Sequence, residues 1–257
     1  MTIGKYHPSA QLAPFIREYL VIESDAEIVN QTIPDTALVL SFRFRGRILL
    51  NDGIEFSELP DTVIGGLRKS ARSFRYEKGT GNLLAICREG AISAFTRMPA
   101  HEIFGLSIGT ENLFPDHDLR QLMERLQEAT SHTQRIALLE AFLIGQMTDT
   151  RQDELVLSAT AAIRRENGQL RMKELAGSLH ISQDAFEKRF RSLIGASPKQ
   201  YAAIVRLRNL VRRHSDATSL TQAAYDAGYF DQSHFIRDFR QFTGQTPRAF
   251  FSGTRRW

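Results

Sequence analysis

GYFDQSHFIRDFRQFTGQTP, residues 228–247, is the stretch on which the architecture turns. Phe235, Phe239 and Phe242 are spaced four and three apart, the period of a single apolar stripe on a helix. Asp231 stands before the run as a capping residue, and Gly244 and Pro247 stand after it as stop signals. The spacing therefore predicts a helix over 232–243. The face opposite the phenylalanines carries Ser233, Arg237 and Arg240. Upstream, Ser219 caps a shorter helix that runs to about Ala227, and Gly228 ends it.

The same pattern occurs earlier in the chain. Phe186, Phe190, Gly195 and Pro198 recur as Phe235, Phe239, Gly244 and Pro247, each pair 49 residues apart. Ala176 and Leu179 recur as Ala224 and Ala227, 48 apart, so the second copy has one extra residue in its turn. Each copy is a short helix, a tight turn and a longer helix, the unit whose second helix enters a DNA major groove. The outward faces also align: Asp184, Lys188 and Arg191 match Ser233, Arg237 and Arg240. A solvated surface would explain either helix alone. Two polar, basic faces in register favour DNA, because Lys and Arg reach phosphates and Arg also binds a guanine edge bidentately. A helix over 198–214 joins the units and would hold them to successive major grooves, about 34 Å apart.

Charge supports this placement. The 257-residue chain carries a net +4, distributed as −4 over residues 1–150 and +8 over 151–257. An acidic front and a basic back point to a nucleic-acid contact by the back. Hydrophobic residues make up 42%, enough for a core. No apolar run is long enough to span a bilayer, and the opening MTIGKYHPSAQ is not a secretory signal. A cytoplasmic protein with no membrane partner is expected. The single cysteine, Cys87, excludes an internal disulfide and a cysteine zinc cluster within one chain, and it reads as a buried small hydrophobe.

The front half is rich in strand signals: 18–23, 37–44, 47–50, 73–77 and 83–89, punctuated by RGR, NDG, ELPD and GTGN. Two amphipathic helices follow, one carrying Leu119, Leu122, Met123 and Leu126, the other Ile136, Leu139, Phe142 and Leu143. Asp118 or a neighbour and Ser131 are the expected N-caps. Polar residues 148–154 mark a domain boundary. His7, His101, His117 and His132 lack the His-x-His spacing of a strand metal site, so no metal is expected. Gly65-Gly66 and Gly79-Thr80-Gly81 read as turns. No nucleophile arrangement stands out; no catalytic residue, cofactor or enzymatic activity is expected. Arg43, Arg45 and Arg75 have two readings: a solvated strand face, or, pointing inward, contacts to a small anionic effector.

The motif AAYDAGYFDQSHFIRDFRQFTGQTPRAF (223–250) closely resembles the C-terminal signature of AraC/XylS-type bacterial transcription regulators, and LAGSLHISQDAFEKRFRSLIGASPKQY (175–201) resembles its first copy. The resemblance implies base contacts from Gln183, Asp184, Glu187, Lys188, Gln232, Ser233, His234 and Arg237. Arg191, Lys199 and Arg240 are the expected phosphate contacts. Asp184 and Glu187 depart from the commoner residues; Glu can accept from the cytosine amino group or repel unwanted sequence. The N-terminal part resembles, more loosely, uncharacterised domains of such regulators. The implied fold is α+β: a β-rich, cupin-like sensor (1–115), a helical pair that dimerises (116–150) and an all-α double helix-turn-helix domain (151–257). Implied partners are double-stranded DNA, a small-molecule effector, a second copy of the chain and, for an activator, RNA polymerase. A DNA-alkylation repair enzyme with this helical domain would need several cysteines.

Overall fold

The structure, a computed structural model, describes residues 1–51, 55–148, 152–214 and 219–252. Its first part is built from β1 (Thr2–Tyr6), β2 (Ile16–Ser24), β3 (Ile28–Thr32), β4 (Val39–Arg45) and β5 (Ile48–Asn51). β6 (Phe56–Glu58), β7 (Thr62–Gly65), β8 (Arg72–Tyr76), β9 (Thr80–Cys87) and β10 (Ser107–Gly109) complete it. They pair into two antiparallel sheets, β1-β2-β9-β4-β7-β10 and β3-β8-β5-β6. β9 lies between β2 and β4 and is buried along nearly its whole length, hence its continuous apolar run LLAIC.

β2, β4, β5, β8 and β9 match the strand signals of the sequence. β1, β3, β6, β7 and β10 do not. They are three to five residues long and lack a sustained alternation, so pairing with longer neighbours defines them. The arginine alternation is also broken. Arg43 is in regular register opposite Asn82 and is buried; the register shifts between it and Arg45, which is exposed.

α1 (Asp116–Glu128) and α2 (His132–Gly145) pack on each other, and α1 on β4. Ser131 caps α2 as expected, accepting from the Gln134 amide. α1 instead begins at Asp116 after Pro115, so Asp118 is not its cap. Asp118 sits in the first turn and accepts from the Gln146 side chain at 2.9 Å. The apolar stripes of both helices are buried within the chain itself, except for half-buried Phe142. Of the expected boundary at 148–154, residues 149–151 lie outside the described residues.

The second part comprises α3 (Glu154–Arg165), α4 (Met172–Ser178), α5 (Gln183–Ile194), α6 (Pro198–Arg213), α7 (Leu220–Asp226), α8 (Gln232–Thr243) and α9 (Pro247–Ser252). Apolar packing is continuous from the sheets into these helices. Two carboxylates of the β-rich part grip them. Glu89, which follows β9, accepts from Arg164 at 2.7 Å, from the Tyr201 hydroxyl at 3.1 Å and from Thr36 at 3.3 Å. Asp35 pairs with Arg208 of α6 at 3.4 Å and Arg17 of β2 at 3.3 Å, while Arg208 also donates to the Pro34 carbonyl at 3.1 Å.

Burial works to raise the Asp35 pKa, but Arg208, Arg17 and the Thr36 amide outweigh it and hold the carboxyl below its ordinary value. A depressed carboxylate stabilises the fold above its unfolded pKa, and that contribution is lost as pH falls through the folded one. Asp35→Asn is accordingly expected to lower stability at pH 7 by about 1–3 kcal/mol, because two guanidiniums lose their charged acceptor. Urea titrations across pH should show the gap to wild type closing below about pH 4. A gap unchanged at low pH would contradict this assignment.

Candidate nucleic-acid interface

α5 and α8 are built alike. Ser182 caps α5 through the Ala185 amide, and Asp231 caps α8 through the His234 amide. Each ends at a left-handed glycine, Gly195 at φ 91° and Gly244 at φ 76°, and a proline opens the next helix. A side chain at Gly195 would also crowd the Ala100 carbonyl, at 3.0 Å from the new Cβ. Phe186, Phe190 and Ile194 are buried on α5; Phe235, Phe239 and Phe242 are buried on α8. Within each helix the two leading rings meet edge to face, at 5.6 and 5.5 Å. Tyr201 of α6 packs on Phe190, and Phe250 of α9 on Phe239.

These anchors set the rotation of each helix, and the opposite faces are exposed. On α5 they display Gln183, Asp184, Glu187, Lys188 and Arg191; on α8, Gln232, Ser233, His234, Arg237 and Arg240. Lys199 is exposed in the first turn of α6. Among the described residues, Lys188, Arg191, Lys199, Arg237 and Arg240 have no carboxylate partner. Arg189, off that face, pairs with Asp153 and ties α5 to the start of α3. His234 is more constrained than its neighbours. Its Nε2 lies 3.2 Å from Asp238, and its ring packs edge-on against Tyr229. The charged contacts to the β-rich part use Arg164, Tyr201 and Arg208; α5 also packs on residues 100–103 and Gln245 donates to Gln31 at 3.3 Å, while the named face residues of α5 and α8 stay exposed.

The three arginines considered for an anionic effector are otherwise engaged. Arg43 is buried and donates to Glu58, Asp61 and the carbonyls of Gly46 and Leu59. Arg45 donates to the Gly79 carbonyl and lies 3.5 Å from Glu23. Arg75 lies over the Phe56 ring at 4.0 Å and close to Glu27. Cys87 is buried in the core, where burial pushes its thiol up to about 12 and keeps it protonated. Among the described residues no cluster of His, Cys, Asp and Glu could hold a metal ion, and no helix is long and apolar enough to cross a membrane.

Sequence reasoning missed the exposed aromatic residues of the second unit. Phe230, in the turn before α8, is 99% exposed, and Tyr225 of α7 is 72% exposed. The signal was the extra residue in the second turn, whose identity the repeat arithmetic alone did not assign.

Residues 175–253 match the family described as Helix-turn-helix domain, and residues 4–108 match a Domain of unknown function (DUF6597). No curated protein matches the chain significantly. Among solved structures, the chain is similar to ToxT from Vibrio cholerae, at 12% identity and a TM-score of 0.45 over 98% of this chain and 97% of that one. A ToxT structure from V. cholerae strain SCE256 with unsaturated fatty acid bound gives 11% identity, a TM-score of 0.46, and 90% and 94% coverage. The AraC-like transcriptional activator CuxR gives 10% identity, a TM-score of 0.27, and 88% and 91% coverage. With two capped and aligned helix-turn-helix units in that span, residues 175–253 belong to the matched helix-turn-helix domain family.

Proposed function

We propose that the chain reads DNA with two heads, α5 and α8, laid in successive major grooves of one duplex. The observation that carries this is the pair of exposed faces, 49 residues apart and in register, whose lysine and arginines have no carboxylate partner among the described residues. Gln183, Asp184, Glu187 and Lys188 of α5, with Gln232, Ser233, His234 and Arg237 of α8, are the base-reading set. Arg191, Lys199 and Arg240 hold phosphates. His234 must leave Asp238 to read a base, so Arg237 is the stronger determinant.

The β-rich part, 1–115, acts as the sensor for a small-molecule effector. Its support is the coupling: the segments 33–36 and 88–91 that close the sheets also hold α3 and α6 through Asp35 and Glu89. A ligand with different affinity for two arrangements of those segments would shift the DNA-binding domain between two states. With Arg43 and Arg75 already engaged, the effector contacts lie elsewhere. A homodimer through 116–150 would use the polar outward faces of α1 and α2, since their apolar stripes are spent within the chain. Action on bacterial promoters sets the work in the cytoplasm, with RNA polymerase as partner where the output is activation.

Two measurements test the two-headed contact. Three phosphate contacts predict that log K falls against log salt with a slope of about −3, whereas an apolar protein interface would show almost no slope. Arg237→Ala should weaken specific binding by about 1–3 kcal/mol and relax the preference at one base pair, while Arg240→Ala should lower the salt slope by about 1 and leave sequence preference intact. An unchanged preference in the Arg237 variant would place the base-reading face elsewhere on α8.

A further inference from the structure

The one-residue difference between the two units can now be located. His180 and Gly228 occupy the same left-handed turn position, with φ 54° and 78°. Ile181 and Tyr229 follow as the inward apolar residues, half-buried and buried. Ser182 and Asp231 are the respective caps. The residue left over in the second unit is Phe230. Turn insertions favour Gly, Asn, Asp or Ser, because the added residue faces water. Here it is a phenylalanine, 99% exposed.

No folding role accounts for that ring. The residue before a helix cap commonly packs on the fourth helical residue as a hydrophobic staple. In α8 that partner is Phe235, and Tyr229 already covers it, with ring centroids 5.3 Å apart. The turn is closed by backbone bonds from Gly228 to Tyr225 and from Tyr229 to Ala224, neither of which involves Phe230. Tyr225 is also exposed, where the first unit has Gly177. The second unit thus presents aromatic surface that the first does not.

We propose that Phe230 is a specificity-determining residue, making an apolar contact with the 5-methyl group of a thymine beside the base pair read by Arg237. A recognition helix meets the major groove with its N-terminal residues. Phe230 immediately precedes the α8 cap, so its Cα lies within about 8 Å of that of Gln232. The exposed ring therefore stands two and three residues before exposed Gln232 and Ser233 at the leading end of α8, with Arg237 further along the same exposed face. Of the chemical groups in that groove, the thymine methyl is the one that gains from an apolar side chain. The first unit, lacking the insertion, makes no such contact. This inference rests on the two-headed DNA-binding proposal.

The test replaces each thymine in turn by deoxyuridine, which removes only the methyl, in a duplex carrying the site selected by the full-length protein from random DNA. Wild type should lose about fourfold in affinity at one thymine near the Arg237 block. Phe230→Ala should bind the unsubstituted site more weakly and be indifferent to deoxyuridine at that thymine. Because Phe230 makes no packing contact, this variant should retain the wild-type denaturation midpoint. Wild-type binding that is indifferent to every substitution, or a Phe230 variant with undiminished methyl sensitivity, would overturn the proposal and leave DNA binding intact. A variant with normal DNA affinity but lost promoter output would assign the ring to a protein partner, overturning it too. Failure of wild type to bind any DNA would overturn the DNA-binding proposal itself, and this inference with it.

Discussion

Burial of paired phenylalanines on α5 and α8 is the constraint on which the rest depends. A helix of twelve residues has little stability of its own, so its rotation and position are set by what its apolar stripe covers. Phe186 packs on Phe190 and Phe190 on Tyr201, while Phe235 packs on Tyr229 and Phe239 on Phe250. Once those rings are inside, Lys188 and Arg191, or Arg237 and Arg240, have nowhere to point but outward. The caps at Ser182 and Asp231 then fix where each helix begins, and so which residues stand at its leading end.

The same core reaches the β-rich part. Tyr201 packs on Phe190 through its ring and donates to Glu89 through its hydroxyl. One side chain therefore touches both the anchor of α5 and the closing segment of the sheets. Arg208, further along α6, makes the second bond, to Asp35 and Pro34. These are charged contacts at a partly buried boundary, where losing one partner costs more than the pair contributes. Such a boundary favours two discrete arrangements over gradual bending.

Most of the second half was legible in the sequence, because its signals are local and doubled. Ser182, Ser197, Ser219 and Asp231 all cap the helices expected of them, and the glycine stops fall in place. The first half was less legible. Short strands such as Thr62–Gly65 exist because β4 and β10 flank them, and nothing within four residues announces that. The cap expected at Asp118 or a neighbour falls on Pro115, which has no side-chain acceptor, because α1 begins at Asp116. Arg43 read as a surface or ligand residue because the groups that engage it, on Gly46, Glu58, Leu59 and Asp61, come later in the chain and nothing in the local alternation announces them. Glu89 and Asp35 were illegible as interface residues, since their partners lie far away in the chain.

The central claim is that two recognition helices read one duplex. Selecting sites for the full-length protein from random duplex DNA, at about 0.15 M salt, tests it most directly. The account predicts a motif with two informative blocks about 10 base pairs apart, one helical turn. A single block, or enrichment without any preferred sequence, would contradict it.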